Sequence, residues 1–342
     1  MVPDAPTALI PDSPAAPQPS AAELAPEPGS GRKRMLIIVN PYATTVSDRL
    51  KNLVVYALQG RYQVEAVMTE AQNHATEIGI EARDGAYDLV VAFGGDGTLN
   101  EVANGLAGTD LPVTILPGGS TNVVARTLGI PNDVVDATEH LLGLADRFEP
   151  RKIDLGVANG RRFVFSCGSG LDATAAMRVD QRPKLKARGG PYFYTWVAVS
   201  SFYRQYLRNP VRMHFESPAG ESEGVTVLAQ NSDPFTYFGS RPVRVCENVE
   251  IDDGTLSVAV LRRAAQRDMA PIVTRFLTEG LRATRHRHID HFDDVLTGTV
   301  KSRSLDRGGE LRQFPVQVDG DYIGNHRALE LAVDPGALTV IA

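Results

Sequence analysis

Asp88-Leu-Val-Val-Ala-Phe-Gly-Gly-Asp-Gly-Thr-Leu-Asn-Glu-Val-Ala-Asn-Gly105 decides how this chain folds. Asp88 to Phe93 is a short apolar run of the kind found in buried parallel strands. Thr98 to Leu106 suits a helix. Between them, Gly94-Gly95-Asp96-Gly97-Thr98 makes a strand-to-helix turn whose three glycines let the backbone come close to a ligand. Its amides and the helix N-terminus together form an anion site. Thr98 and Glu101 read as a Thr-x-x-Glu capping box that fixes the helix start. A carboxylate at Asp96 would repel phosphate unless a cation or a transferable proton accompanies it, which points to Mg²⁺ or acid–base chemistry. A tight turn before an ordinary capped helix accounts for the same residues without a ligand. The turn lacks the Gly-Lys-Ser/Thr ending of a P-loop and is not the Gly-x-Gly-x-x-Gly of dinucleotide folds.

Outward from this turn, Met35 to Val39, Tyr62 to Val67 and Val113 to Leu116 are further strand candidates. Val46 to Gln59 and Ala75 to Arg83 are helix candidates between them. Alternation of this kind implies βαβ units and a parallel sheet, with ligands beyond the carboxyl ends of the strands. The turns of interest are then Asn40 to Thr45, Gly94 to Thr98 and Pro117 to Asn122. After about Glu149 the pattern changes. Lys152 to Ala158, Arg162 to Cys167, Val211 to Glu216, Gly224 to Gln230 and Thr255 to Leu261 read as strands of a mostly antiparallel sandwich, with helical insertions near Tyr192 to Tyr206 and Met269 to Glu279. The expected fold is an α/β N-terminal domain with a parallel sheet at 34–150, plus a mostly antiparallel β-sandwich C-terminal domain at 151–342. The last strand is able to return to the first domain. Residues 1–33, rich in Pro, Ala, Ser and Glu, read as a disordered tail. The cleft between the domains is the default place for a substrate.

A length of 342 residues fits two domains, and a net charge of −6 gives no support to nucleic-acid binding. Cys167 and Cys246 lie far apart, which argues against a disulfide framework or zinc site and fits a reducing cytoplasm. The N-terminus lacks the basic start and apolar stretch of a signal peptide. No apolar run approaches the length of a bilayer span, so any membrane contact is peripheral. Arg178, Arg182, Lys184, Lys186 and Arg188 precede Tyr192-Phe-Tyr-Thr-Trp196, a mixture that suits anionic headgroups and equally a solvated charged face. His286, His288, Asp290 and His291 lack helical pair spacing and read as a surface segment, not a metal site.

Phe93-Gly-Gly-Asp-Gly-Thr-Leu-Asn-Glu-Val-Ala-Asn-Gly105 resembles the signature of the diacylglycerol kinase catalytic domain, the group of bacterial diacylglycerol kinases, sphingosine and ceramide kinases and related lipid kinases. Further matches follow in order. Asn40-Pro41 comes after the first strand, and Thr69 with His74 is similar to the family's Thr-x4-His. Pro117-Gly-Gly-Ser-Thr-Asn122 leads to Ala125-Arg126 and Leu128-Gly129. Asp252-Asp-Gly-Thr-Leu256 and Val318-Asp-Gly-Asp321 resemble its Asp-Gly-x-Leu and Asp-Gly-Glu. The resemblance covers about Met35 to the C-terminus.

That resemblance implies ATP-dependent transfer of the γ-phosphate to a lipid hydroxyl, of diacylglycerol or a related lipid, at a membrane surface. Such chemistry asks the protein mainly for positioning and charge stabilisation. Asn40, Pro41 and Thr44 would line the nucleotide site, and Thr69 would touch base or ribose. Gly94, Gly95, Asp96, Gly97 and Thr98 would cradle phosphates, with Asn100 and Glu101 beside them and Ser120, Thr121 and Asn122 completing the site. Asp321 would be the base that deprotonates the lipid, with Asp96 as its catalytic companion. Mg²⁺ would sit at Glu250, Asp253 and the Thr255 carbonyl, hard oxygen donors that suit it. Plainer readings stand beside these: a loop at Asn40 and Thr44, a helix-start hydroxyl at Thr69, a helix cap at Thr121 and Asn122, and a solvated hairpin at Asp253. Two positions depart from the family pattern, Ser120 for Thr and Asp321 for Glu, the latter one methylene shorter. An NAD kinase-like enzyme with a soluble acceptor shares the glycine turn. Asn100-Glu101 and Pro117-Gly-Gly-Ser-Thr-Asn122 favour the lipid kinase pattern over it. A non-catalytic nucleotide- or lipid-binding protein draws its support from Asp321. A homodimer is compatible with the sequence.

Overall fold

Runs that are apolar on both faces become central strands. β1 (Arg34–Val39) is buried beyond its first residue, β2 (Gln63–Met68) is half exposed, and β3 (Leu89–Gly94) and β4 (Val113–Pro117) are buried throughout. They pair in parallel in the order β2-β1-β3-β4, so the amphipathic strand takes the edge. The computed structural model describes residues 31–342 except 183–192, 194, 195, 248, 279 and 280. The tail to residue 30, the bases Lys184, Lys186 and Arg188, the aromatics Tyr192 and Tyr194, and Glu279 lie outside these. Between the strands run α1 (Asp48–Leu58), α2 (His74–Asp84) and α3 (Asp96–Leu106), and after β4 come α4 (Val123–Thr127) and α5 (Val134–Leu144). α1 packs with α5, and α2 with α3. The second crossing is close because glycines meet there: a Cβ on Gly105 would lie 2.7 Å from the Thr76 carbonyl oxygen.

The second half begins with β5 (Arg151–Ala158), β6 (Arg161–Phe163), β7 (Ser166–Ser169) and α6 (Leu171–Asp180). It continues through β8 (Met213–Ser217), β9 (Gly220–Gly224), β10 (Thr226–Gln230), β11 (Thr236–Phe238), β12 (Arg241–Val243) and β13 (Leu256–Leu261). β14 (Ile289–Val295), β15 (Thr297–Ser302), β16 (Phe314–Val318), β17 (Asp321–His326) and β18 (Ala328–Val340) complete it. The first sheet runs on past β4 as β18-β15-β8-β9, with β5 also on β18, while β14-β13-β10-β7-β16-β17 forms a second, antiparallel sheet. Phe215, Val300, Leu329 and Leu331 of one sheet and Val227, Val258, Phe314 and Val316 of the other form one buried cluster. The architecture is therefore a parallel α/β half and an antiparallel β-sandwich half. β18 belongs to both: Val340 pairs in parallel with Val113, while Leu331 to Val340 pair antiparallel with β5.

One expected strand, Arg162 to Cys167, is broken into β6 and β7. The amides of Val164, Phe165 and Ser166 turn away from strand pairing to donate to the Asp319 carboxylate. The two helical insertions are seen as residues 196–201, which continue into a π-helical turn at Phe202–Tyr206, and as Gln266–Leu277.

Candidate active site

The turns after β1, β3 and β4 meet at one point. Asn40 joins them: its amide donates to the Phe93 carbonyl (3.0 Å), its Nδ2 donates to Thr98 Oγ1 (3.0 Å), and its Oδ1 accepts from the Tyr42 amide (2.9 Å). The Gly118 amide donates to the Gly94 carbonyl (2.7 Å), and the Thr45 amide to the Gly118 carbonyl (3.1 Å). Glycine is needed here because a Cβ on Gly119 would come within 2.9 Å of Gly95 Cα. α3 starts at Asp96 with Gly95 as N-cap and no side chain capping it. Its first-turn amides and positive dipole end thus face the point where the turns converge. Asn122 shapes the third turn, its Oδ1 accepting from the Gly119 amide (2.9 Å) and its Nδ2 donating to Asn132 Oδ1 (2.8 Å).

The second half brings a carboxylate to this turn. A Cβ on Gly97 would lie 2.5 Å from Asp321 Oδ2, so Asp321, the first residue of β17, fills the side-chain space that Gly97 leaves. Asp319 holds it there. At φ 49°, Asp319 turns its carboxylate inward. Oδ2 accepts from the Val164 amide (2.7 Å) and Asn100 Nδ2 (2.8 Å), and Oδ1 accepts from the Phe165 (2.9 Å) and Ser166 (3.0 Å) amides. Burial pushes the Asp319 carboxyl up to about 6, against the pull of its donors. In the sequence Asp319 stands only as the residue before Gly320 in Val318-Asp-Gly-Asp321. Its one local signal is an Asp-Gly pair between two strands.

Asp96 is closer to Asp321 in space than in role. Its Oδ2 accepts from the Val123 amide (3.0 Å) and its Oδ1 from the Val124 amide (3.1 Å), capping α4, whose own N-cap Asn122 makes no side-chain cap bond. Burial, and less strongly the charge of Asp321, push the Asp96 carboxyl up to about 6. The expectation that Asp96 serves Mg²⁺ or acid–base chemistry at the phosphates thus meets a carboxylate whose two oxygens already accept from backbone amides.

Two residues expected beside the nucleotide, Asn100 and Glu101, make hydrogen bonds within the protein. Asn100 is buried between the halves, donating to Asp319 and to the Arg162 carbonyl (2.9 Å) and accepting from Arg161 (3.1 Å). Glu101 does not form a capping box with Thr98. α3 starts two residues earlier than expected, which places Thr98 inside the helix. Glu101 instead accepts from the Asn73 (2.9 Å) and Ala75 (3.2 Å) amides and caps α2. Thr69 is buried at the end of β2, its amide donating to the Val39 carbonyl (2.9 Å), and His74 Nδ1 accepts from the Glu70 amide (3.0 Å). Pro41 lines a cleft of about 330 Å³ with Val39, Val46, Lys51 and Met68. Thr44 and Ser120 are exposed and Thr121 is half-buried.

Glu250, Asp253 and Thr255 do share one turn. Asp253 closes it on itself, accepting from the Glu250 amide (3.0 Å) and from the Thr255 amide (2.9 Å) and hydroxyl (3.1 Å). Asp154, a residue without a role in the sequence reading, ties this turn to β18 by accepting from the Gly254 (2.6 Å) and Gly336 (2.7 Å) amides. Among the described residues no group of three or more His, Cys, Asp or Glu is arranged to hold a metal; the expected donors here are two carboxylates and a backbone carbonyl, and both Asp253 oxygens already accept from backbone amides of the turn. His288 lies 3.8 Å from Asp268, and His291 lies 2.8 Å from Asp293. Cys167 and Cys246 are both buried and free. From the second half, the β11–β12 hairpin reaches α4. Arg126 lies 4.4 Å over the Tyr237 ring and donates to the Gly239 carbonyl (3.0 Å).

Residues 34–157 match the diacylglycerol kinase catalytic domain, and residues 166–342 match the YegS C-terminal NAD kinase beta sandwich-like domain. The diacylglycerol kinase of Staphylococcus epidermidis is 27% identical over 301 residues, which is 86% of this chain and 87% of that protein. That of Staphylococcus carnosus is 26% identical, over 86% of this chain and 90% of its own. Crystal structures from Bacillus anthracis share the fold. One covers 92% of this chain and 96% of its own with a TM-score of 0.70 at 24% identity. Another, of a diacylglycerol kinase, covers 92% and 98% with a TM-score of 0.66 at 21% identity.

Proposed function

Because the chain belongs to the diacylglycerol kinase family, and at the level of that family is a lipid kinase, we propose that it transfers the γ-phosphoryl group of ATP to a hydroxyl of diacylglycerol or a related lipid. The observation that carries this reading is Asp321 lying over Gly97. It puts a carboxylate from one half beside the anion-binding turn of the other.

The nucleotide phosphates lie on the first-turn amides of α3 and the Gly118–Gly119 backbone, and the base lies toward the cleft beside Pro41. Asp321 takes the proton of the lipid hydroxyl as its oxygen attacks the γ-phosphorus. The bond from that phosphorus to the bridging oxygen breaks, and ADP leaves. Asp96 acts through position: it holds α4 and the turn before it against α3. Mg²⁺ bound with the nucleotide supplies charge neutralisation at the phosphates. The Glu250–Thr255 turn, closed on its own donors, is not assigned to it. The chain meets its lipid at the cytoplasmic membrane surface. No helix among the described residues is long and apolar enough to cross it.

The test is a screen of the full chain with radiolabelled ATP and Mg²⁺ against micellar diacylglycerol, sphingoid base, ceramide and polyprenol, with NAD as soluble acceptor. Label is expected in the organic phase with diacylglycerol or a close relative. Label on NAD alone, or on no acceptor, overturns the reading.

A further inference from the structure

The helical segment 196–206 has two unlike faces. Val197, Ser201, Phe202 and Tyr206 are buried, and Val197 packs with Ala175 and Val179 of α6. Arg178 of α6 donates to Ser201 Oγ (2.7 Å), and the Thr174 and Tyr206 hydroxyls pair at 2.9 Å. On the other face Trp196, Val199 and Tyr203 are 55%, 50% and 47% exposed. Spacings of three and four bring them into one stripe along the segment. The stripe ends in the π-helical turn Phe202–Tyr206, a feature often found at functional sites.

Charge identifies what the stripe meets. The chain carries 41 acidic residues against 35 Lys and Arg, yet from Trp196 to Phe215 it has Arg204, Arg208 and Arg212 and no Asp or Glu. All three arginines are exposed, and none makes an ion pair among the described residues. Amphipathic rings beside cations suit the headgroup level of an anionic bilayer, where the ring bodies enter the apolar boundary and the cations meet phosphates.

We propose that this face docks the protein on an anionic lipid bilayer through Trp196, Val199, Tyr203, Arg204 and Arg208. The inference deepens the lipid-kinase reading and rests on it for its purpose. α6 carries the docking segment on one side. On another, its Asp180 accepts from the Tyr322 amide (3.2 Å), the residue after Asp321. A bilayer held at the stripe therefore lies one helix away from the proposed base.

Trp196 is the single tryptophan of the chain, so its emission reports docking directly. The full chain is mixed, without nucleotide, with vesicles of phosphatidylcholine alone or of phosphatidylcholine with phosphatidylglycerol. Anionic vesicles are expected to shift Trp196 emission to the blue and shield it from iodide, and added salt to reverse both. Val199→Ser with Tyr203→Ser should weaken vesicle partitioning at least about tenfold. Arg204→Gln with Arg208→Gln should weaken it about 30-fold and abolish the preference for anionic lipid. Both double variants should unfold at the wild-type temperature and still phosphorylate a short-chain, water-soluble diacylglycerol. Vesicle binding needs no turnover, so a chain that binds vesicles but phosphorylates no lipid refutes only the kinase reading. Docking is overturned if Trp196 responds to neither vesicle, if the variants bind like wild type, or if the same blue shift arises without vesicles as protein concentration rises. That last result would assign the stripe to a second copy of the chain.

Discussion

Asp321 is a shorter acid than the glutamate of the family pattern, and it meets a turn with no side chain in its way. The carboxylate occupies the side-chain space of Gly97, so a longer side chain at 321 has less room on that side. If Asp321 is the base, Asp321→Asn should lower kcat by about 10²–10⁴-fold, with little change in KM for ATP because the proton moves only in the transition state. Asp321→Glu should stay within about tenfold of wild type and not exceed it, since the longer arm has to bend away from Gly97. Rate measurements on the best lipid decide this, and a glutamate variant faster than wild type would mean that Asp321 falls short of its target. Gly97 gives a second handle. It has no positive φ, so its backbone tolerates alanine, but the added Cβ displaces Asp321. Gly97→Ala should cost about 10²-fold or more and add almost nothing on top of Asp321→Asn, because both remove one contact. Fully additive losses would separate the two residues.

Among the elements, α2 and α3 share a carboxylate. Glu101 caps α2 from within α3, and Asn73, at φ 67°, supplies no side-chain cap of its own. Glu101→Ala should therefore destabilise the fold by about 1–2 kcal/mol and leave KM for ATP unchanged. Chemical unfolding and kinetics on the same variant check both halves, and a raised KM with unaltered stability would return Glu101 to the nucleotide. Nothing local in the sequence separates these roles, because the amides that Glu101 receives come from 26 and 28 residues away, and Asn100 meets Asp319 across 219. Local pattern suffices for β1, β3 and β4, each an apolar run bounded by turn residues, and for the glycine turn, whose chemistry is carried by its own backbone. It fails for β18, where Asp334-Pro335-Gly336 splits one 13-residue strand into two short apolar runs and the register shifts between Asp334 and Leu338. It fails again for β14, where His291, Asp293 and Asp294 leave few apolar positions to show the alternation.

Across the whole molecule, Asp319 is where the halves are fastened. It binds Asn100 of α3, the 164–166 segment after β6 and, through its own amide, the Ser166 carbonyl (2.8 Å). A carboxyl so buried has a consequence for stability against pH. Its folded value of about 6 lies above the value of about 3.9 for a free aspartate. The folded chain therefore holds this proton more tightly than the unfolded chain. Its contribution to stability is full below about pH 4, declines as pH rises from 4 to 6, and is constant above that. A shift of about two units corresponds to roughly 3 kcal/mol across that window. Asp319→Asn removes the titration and keeps the size, although its NH₂ now faces amide donors, so the variant should be the less stable at every pH. The stability gap between wild type and Asp319→Asn should be widest near pH 4 and narrow by up to about 3 kcal/mol by pH 6. Urea unfolding of both chains at intervals from pH 4 to 7 measures it. A gap that instead widens as pH rises would mean that the four donors outweigh burial, hold the Asp319 proton below its free value, and make an ionised Asp319 the form that fastens the two halves.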